Sequence, residues 1–186
     1  MFNAKIIDNV LSEEECEYLI NAVKDIEPWQ SAGEFWHNRA FDAKRIYNEV
    51  DPIAGKILYS ARLKIEQVIK DLYNEKEIFA DLSQMIRWFP GMEQIPHCDD
   101  MKDTEGNESL HHRHYGAIIY LNDNYSGGHT FYPQHNFEII PKVGSLAIHP
   151  GDPNHMHGVT KIEDNLRYTI ASFWTRDKSH FDGWII

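Results

Sequence analysis

A mainly β fold fronted by helices is predicted, and two observations predict it. Up to Leu72 the apolar residues recur at helical spacing, whereas after residue 77 they fall into short runs bounded by proline, glycine and asparagine. Several of these runs, 116–121 among them, are apolar without alternation. Such strands are expected to be covered on both faces, one turned into a barrel and the other lying under the helices.

Ser12 followed by Glu15 is a capping-box signature, and Cys16, Leu19, Ile20 and Val23 then recur on one helical face. Residues 12–26 are therefore expected to form an amphipathic helix, and an aromatic loop, 29–45, follows. Asp51 and Pro52 open a second helix, because the missing N–H of proline costs nothing in a first turn. Ile53, Ile57, Leu58, Ala61, Ile65, Val68, Ile69 and Leu72 line its apolar side. Strands are expected over 78–89, 94–97, 116–121, 129–132, 144–149 and 166–174, with turns at 90–91, 122–124, 127–128 and 150–154. Residues 1–77 form a helical support packed on a core of residues 78–186, one structural domain in all.

The 186 residues fit one domain, and hence one active site. Hydrophobic residues at 42% and aromatic residues at 12% are enough to drive folding of the whole chain. A formal charge of −11 repels a phosphate backbone, so nucleic acid is disfavoured as a partner. Lys5 and Asp8 interrupt the first ten residues, which do not read as a signal peptide, and no run reaches membrane-spanning length. A cytoplasmic protein without membrane contact is expected. With two cysteines, Cys16 and Cys98, there is no disulfide framework and no paired-cysteine zinc site. A metal would be held by histidine and carboxylate.

Nine of the eleven histidines lie between His97 and His157. Those at 111, 112, 114 and 135 sit among polar residues and are read as solvated loop positions. His97-Cys98-Asp99 is sharper. On an extended strand the imidazole and carboxylate share a face while Cys98 points away. His157 supplies a third ligand, completing a two-histidine, one-carboxylate set that leaves coordination positions open. His180-Phe181-Asp182 has the same spacing but no later histidine or cation, and reads as a surface tail.

Arg167 opens the strand 167–174 and shares a face with Thr169 and Ala171. An inward arginine demands a buried anion: either a carboxylate such as Asp99 or Glu163, or the distal carboxylate of 2-oxoglutarate, which a planar guanidinium matches bidentately. A divalent cation, one aspartate and a dianionic cosubstrate sum to one residual negative charge, which Arg167 cancels.

Arg87-Trp88-Phe89-Pro90-Gly91, His97-Cys98-Asp99, Tyr120-Leu121-Asn122, Gly127-Gly128-His129-Thr130-Phe131, Gly144-Ser145-Leu146-Ala147, His157-Gly158-Val159 and Arg167-Tyr168 follow in this order. Together they resemble the prolyl 4-hydroxylase branch of the Fe(II)/2-oxoglutarate-dependent dioxygenases, over about residues 78–176. The helix at 12–26 resembles that branch's N-terminal region. The resemblance implies a double-stranded β-helix (jelly roll) core. It implies Fe(II) on His97, Asp99 and His157, with O2 as the oxidant and ascorbate as a reductant. It also implies 2-oxoglutarate on Arg167, assisted by Tyr120 and Thr169, although Tyr120 is equally read as an aromatic core residue. Where the branch often has tyrosine this chain has Trp88, and many collagen-type members have lysine at the place of Arg167.

The activity implied is hydroxylation of an unactivated C–H bond, peptidyl proline first, with release of succinate and CO2. Asp99 favours hydroxylation over halogenation, since a small residue there would open a halide position. Other protein side chains, free amino acids and small metabolites are alternative substrates. Nucleic-acid demethylases resemble an Arg-x-Asn-x-Thr pattern, but Glu163 stands where that arginine belongs. A cupin-like metal-binding module without activity needs a downstream glutamate ligand, which neither His112-Arg113-His114 nor His155-Met156-His157 has at suitable spacing. The polar segment 100–114 is expected to be a lid over bound substrate.

Overall fold

The computed structural model describes residues 2–27, 29, 36–101 and 110–186. The lid expected over 100–114 falls, for residues 102–109, outside the described residues.

The first helix, α1 (Glu13–Val23), starts where the sequence predicts. The Glu15 amide donates to Ser12 Oγ at 3.1 Å and the Ser12 amide donates to Glu15 Oε2 at 2.9 Å, which satisfies two N-terminal donors reciprocally. The long helix α3 (Pro52–Tyr73) is capped by the Asp51 carboxylate, which accepts from the amides of Ile53 and Ala54, and ends on Asn74 in the left-handed conformation. Between them the expected aromatic loop is more structured than its sequence signals. It holds a strand, β2 (Ala40–Asp42), and one helical turn, α2 (Ala43–Arg45), before a π-helical turn at Ile46–Val50. Asp42 caps that turn by accepting from the Arg45 amide at 3.0 Å.

The strands are β1 (Lys5–Ile7), β3 (Phe79–Trp88), β4 (Gln94–His97), β5 (Tyr115–Tyr120), β6 (Thr130–Tyr132), β7 (Phe137–Ile139), β8 (Leu146–Pro150), β9 (His157–Val159) and β10 (Arg167–Thr175). They form a six-stranded sheet ordered β1-β8-β5-β10-β3-β2 and a four-stranded sheet ordered β4-β9-β6-β7, antiparallel throughout. This is the jelly-roll core. The segment before residue 78 contributes β1 and β2 to the larger sheet as well as the helices.

Period-two alternation divides the larger sheet into an outer and an inner face. Met85, Ala117, Ile119, Leu146, Ile148, Tyr168 and Ile170 pack outward with Leu19 and Val23 of α1 and Leu58, Ala61, Ile65 and Ile69 of α3. Burying each of these larger side chains contributes about 1.5–3 kcal/mol. Ile86, Trp88 and Ala171, and separately Tyr120 and Ala147, pack inward in two smaller clusters. Both faces of the large sheet are thus covered, as the unalternating strands predict, and the inner face carries Arg167, Thr169 and Tyr120.

The C-terminal His180-Phe181-Asp182 is not a surface tail. The Asp182 carboxylate takes two hydrogen bonds of 2.8 Å from the Arg62 guanidinium, and His180 stacks on His112 at 3.7 Å. Spacing alone gave no sign of Arg62, which lies on a helix 120 residues away. His112 and His114 are half-buried rather than solvated, because His112 also meets Asp81 and the Arg176 amide donates to His114 Nδ1.

Candidate metal centre and cosubstrate pocket

His97 and His157 are direct cross-strand partners, the last residue of β4 facing the first of β9. The strand stops there, and Asp99 sits two residues on, in a bend rather than on the extended strand the spacing suggested. The bend still delivers the carboxylate: ligand atoms of His97, Asp99 and His157 all lie within 4.8 Å of one another. Asp99 Oδ1 is 3.9 Å from Nε2 of each histidine. Cys98 stays out of the cluster, its thiol directed at the Asp100 carbonyl at 3.6 Å.

Tautomers follow from the partners. His97 Nδ1 meets the Ile95 carbonyl at 3.2 Å and His157 Nδ1 meets the His155 carbonyl at 3.1 Å. A carbonyl only accepts, so each Nδ1 carries the proton and each Nε2 offers its lone pair to the centre. Burial holds the His157 imidazole down to about 3, helped by the neighbouring His149. For Asp99 burial alone would raise the carboxyl, but His157 and His149 outweigh it and keep the group ionised. Two imidazoles and a carboxylate form a donor set suited to a divalent metal such as Fe(II).

Arg167 is 1% exposed. Its Nε and Nη2 have no hydrogen-bond partner among the described residues, and none of the described carboxylates pairs with it. Neither Asp99 nor Glu163 answers this charge. The guanidinium lies 5.3 Å from the centre of the Trp88 ring and 5.4 Å from that of Tyr120. Tyr120 is fully buried with its hydroxyl 2.7 Å from Thr130 Oγ1, and Thr169, also buried, is its register partner on β10. Buried guanidinium nitrogens with no carboxylate partner among the described residues suit a dianionic ligand. Gly128 makes room, because a Cβ there would approach Tyr125 and Arg167 Cδ to 2.9 and 3.0 Å.

Sequence reasoning missed four residues. Tyr125 places a buried hydroxyl near Arg167, whose charge opposes the upward push of burial on that phenol. Thr130 meets Tyr120, and separately Tyr132 meets His149, which in turn meets Asp99. Alternation on β8 was a usable signal for His149. With Leu146 and Ile148 outward, Ala147 and His149 must face in.

Residues 83–176 match the 2OG-Fe(II) oxygenase superfamily, and the chain belongs to that family. Two curated relatives carry prolyl 4-hydroxylase names. One, from Acanthamoeba polyphaga mimivirus, is 29% identical over 108 residues, covering 51% of this chain and 44% of the relative. The other, from Arabidopsis thaliana, is 28% identical over 150 residues, covering 77% and 50%. The chain therefore spans about half the length of the curated relatives it matches. Among solved structures it resembles the viral collagen prolyl hydroxylase of Paramecium bursaria Chlorella virus-1 in its 2OG complex, with a TM-score of 0.68 at 18% identity over 95% of this chain and 97% of that one. A Pseudomonas putida prolyl-4-hydroxylase gives a TM-score of 0.67 at 14% identity over 95% and 94%. A Trichoplax adhaerens prolyl hydroxylase, in complex with a hypoxia inducible factor peptide fragment, gives 0.67 at 17% over 97% and 86%. These likenesses establish the prolyl-hydroxylase-type jelly roll.

Proposed function

We propose that the chain is a 2-oxoglutarate-dependent hydroxylase in which His97, Asp99 and His157 hold Fe(II) and Arg167 seats the distal carboxylate of 2-oxoglutarate, with peptidyl proline as the substrate. The observation that carries the assignment is Arg167. A buried guanidinium with unpartnered nitrogens, in the same β-barrel as a convergent His-Asp-His set and in a chain of this family, is matched by a dianionic cosubstrate. Proline is favoured by the prolyl hydroxylase names of the relatives. The two free cysteines, Cys16 and Cys98, support a cytoplasmic setting within the same proposal.

The residues divide the work. His97 and His157 present Nε2 because backbone carbonyls occupy Nδ1, and Asp99 supplies the only anionic ligand. Bound Fe(II) would supply O2 activation coupled to decarboxylation of 2-oxoglutarate to succinate and CO2. Arg167 neutralises and orients the cosubstrate, with the Tyr120 hydroxyl, held by Thr130, close to the same cation. Tyr132, Ile139 and Ala147 pack with Tyr120 and line the interior with largely apolar surface that keeps water out.

Proline-containing peptides incubated with the Fe(II)-loaded protein, 2-oxoglutarate and ascorbate are expected to gain one oxygen atom on proline by mass spectrometry. Oxygen gained on another residue, or by a free amino acid instead, would replace the substrate while keeping the chemistry.

A further inference from the structure

We infer that His149 is a positioning residue of the metal centre, holding the outer oxygen of Asp99 so that this carboxylate ligates through one oxygen only. The inference rests on the metal assignment above and deepens it. His149 projects inward from β8 and is 1% exposed. Its Nε2 lies 3.2 Å from Asp99 Oδ2, and its Nδ1 lies 2.8 Å from the Tyr132 hydroxyl.

The direction of the link to Asp99 is fixed by the carboxylate. An ionised carboxylate only accepts, so His149 Nε2 carries the proton. His149 Nδ1 then faces the Tyr132 hydroxyl, which can donate to it. Tyr132 keeps the necessary proton, since burial pushes its phenol well above the ordinary value, reinforced by Tyr120 and Asp99. Tyr132, His149 and Asp99 therefore form one hydrogen-bonded chain that ends on Oδ2.

The two oxygens of Asp99 are thereby divided. Oδ1 faces His97 and His157 at 3.9 Å from each Nε2, while Oδ2 is committed to His149. Ligation through both oxygens would pull Oδ2 away and leave a buried N–H without an acceptor, an outcome folded proteins avoid. One-oxygen ligation would matter because it would leave more positions of a bound metal open to a 2-oxoacid and O2. A second carboxylate oxygen would take one of them. Gly116 lets the pair form, because a Cβ at this position would overlap both the Asp99 carboxylate and the His149 ring. His149 is not itself a member of the convergent ligand set. Its ring packs beside His157 at 4.2 Å with the protonated nitrogen turned to Asp99.

The test uses Co(II) as a spectroscopic probe added to the metal-free full chain, with affinity read from the visible bands and from calorimetry. His149→Phe, which keeps bulk and removes the donor, is expected to weaken Co(II) about 10–100-fold. His149→Gln, whose amide can donate to Oδ2, should recover most of that loss. Tyr132→Phe, which leaves His149 in place without its orienting partner, should weaken binding by about a few-fold. Wild-type affinity in His149→Phe, even with a lowered Tm, would overturn the inference, as would equal weakening in the Phe and Gln variants. If His149→Phe does not fold, the other two decide: a wild-type result in Tyr132→Phe together with a deep loss in His149→Gln contradicts the hydrogen-bonded relay. A parent chain that takes up no Co(II) would remove the centre itself and the inference with it, whereas normal uptake by both parent and His149→Phe sinks the role of His149 alone.

Discussion

Arg62 and Asp182 meet in a two-point ion pair, Nη1 to Oδ2 and Nη2 to Oδ1, both at 2.8 Å, with side chains only 5% and 9% exposed. The pair fastens the end of the chain to α3, and Asp182 also accepts from the Trp184 amide. Asp182→Ala would leave the Arg62 charge buried and unpaired, a loss of about 3–5 kcal/mol. The expected outcome is a lower midpoint in denaturant with Co(II) uptake unchanged in the folded fraction. Asp99→Ala should do the reverse and abolish metal-dependent turnover. Equal losses of turnover per folded molecule would mean that the wrong His-x-Asp had been assigned to the metal.

Arg167→Ala should raise the 2-oxoglutarate requirement about a hundredfold or more while metal still binds, since charged hydrogen bonds contribute about 1.5–3 kcal/mol each. Arg167→Lys keeps the charge without the fork and should be milder. Steady-state kinetics over a range of 2-oxoglutarate concentrations, with a Co(II) titration alongside, separate the two effects. An unaltered cosubstrate requirement in Arg167→Ala would take this arginine out of the pocket.

Cys98 and Gly116 should respond oppositely. Cys98→Ser alters a side chain directed away from the ligands and is expected to keep Co(II) affinity within about threefold. Gly116→Ala adds a methyl where Asp99 and His149 already stand. Gly116 does not need a left-handed backbone, so alanine can take its place in the strand and the fold should survive while metal affinity falls at least about tenfold. Metal titrations of both variants check this, and a tolerant Gly116→Ala would contradict the packing of the Asp99–His149 pair.

Acid should destabilise the metal-free protein. Burial lowers the imidazoles of His157, His114 and His155 in the folded chain, His157 to about 3. Unfolding lets them take up protons near their ordinary value of about 6.5, so the unfolded state binds more protons below that pH and stability falls as pH falls. The window for His157 runs from about 6.5 down to about 3. Tm measured with chelator from about pH 7.5 to about pH 5 should decline. His157→Gln should flatten the slope, which isolates this histidine from relief of acidic self-repulsion as charge is neutralised. A slope identical in His157→Gln would show that the imidazole is not held neutral by burial.

The long elements were legible because they carry full periods. Ser12 with Glu15 marked α1, Asp51-Pro52 marked α3, and the apolar runs of β3, β5 and β10 marked the central strands. β1, β2, β7 and β9 span three residues each, too few to show alternation. The bend at Asp99 was hidden for a related reason: His-x-Asp is compatible with a strand, and only the pairing of His97 with His157 shows where that strand ends. Arg167 was visible as an inward cation, but its lack of a carboxylate partner among the described residues is a property of the packed barrel. His149 and Tyr132 are polar residues in otherwise apolar strands, and their connection crosses sheets that sequence order keeps apart.

The most direct test of the central claim is succinate release from 2-oxoglutarate by the purified, Fe(II)-loaded chain in the presence of O2 and a proline-containing peptide. Succinate is expected to form only when Fe(II), O2 and 2-oxoglutarate are all present, and Asp99→Ala should form none. No succinate from a folded chain that has taken up metal, or equal succinate from Asp99→Ala, would contradict it.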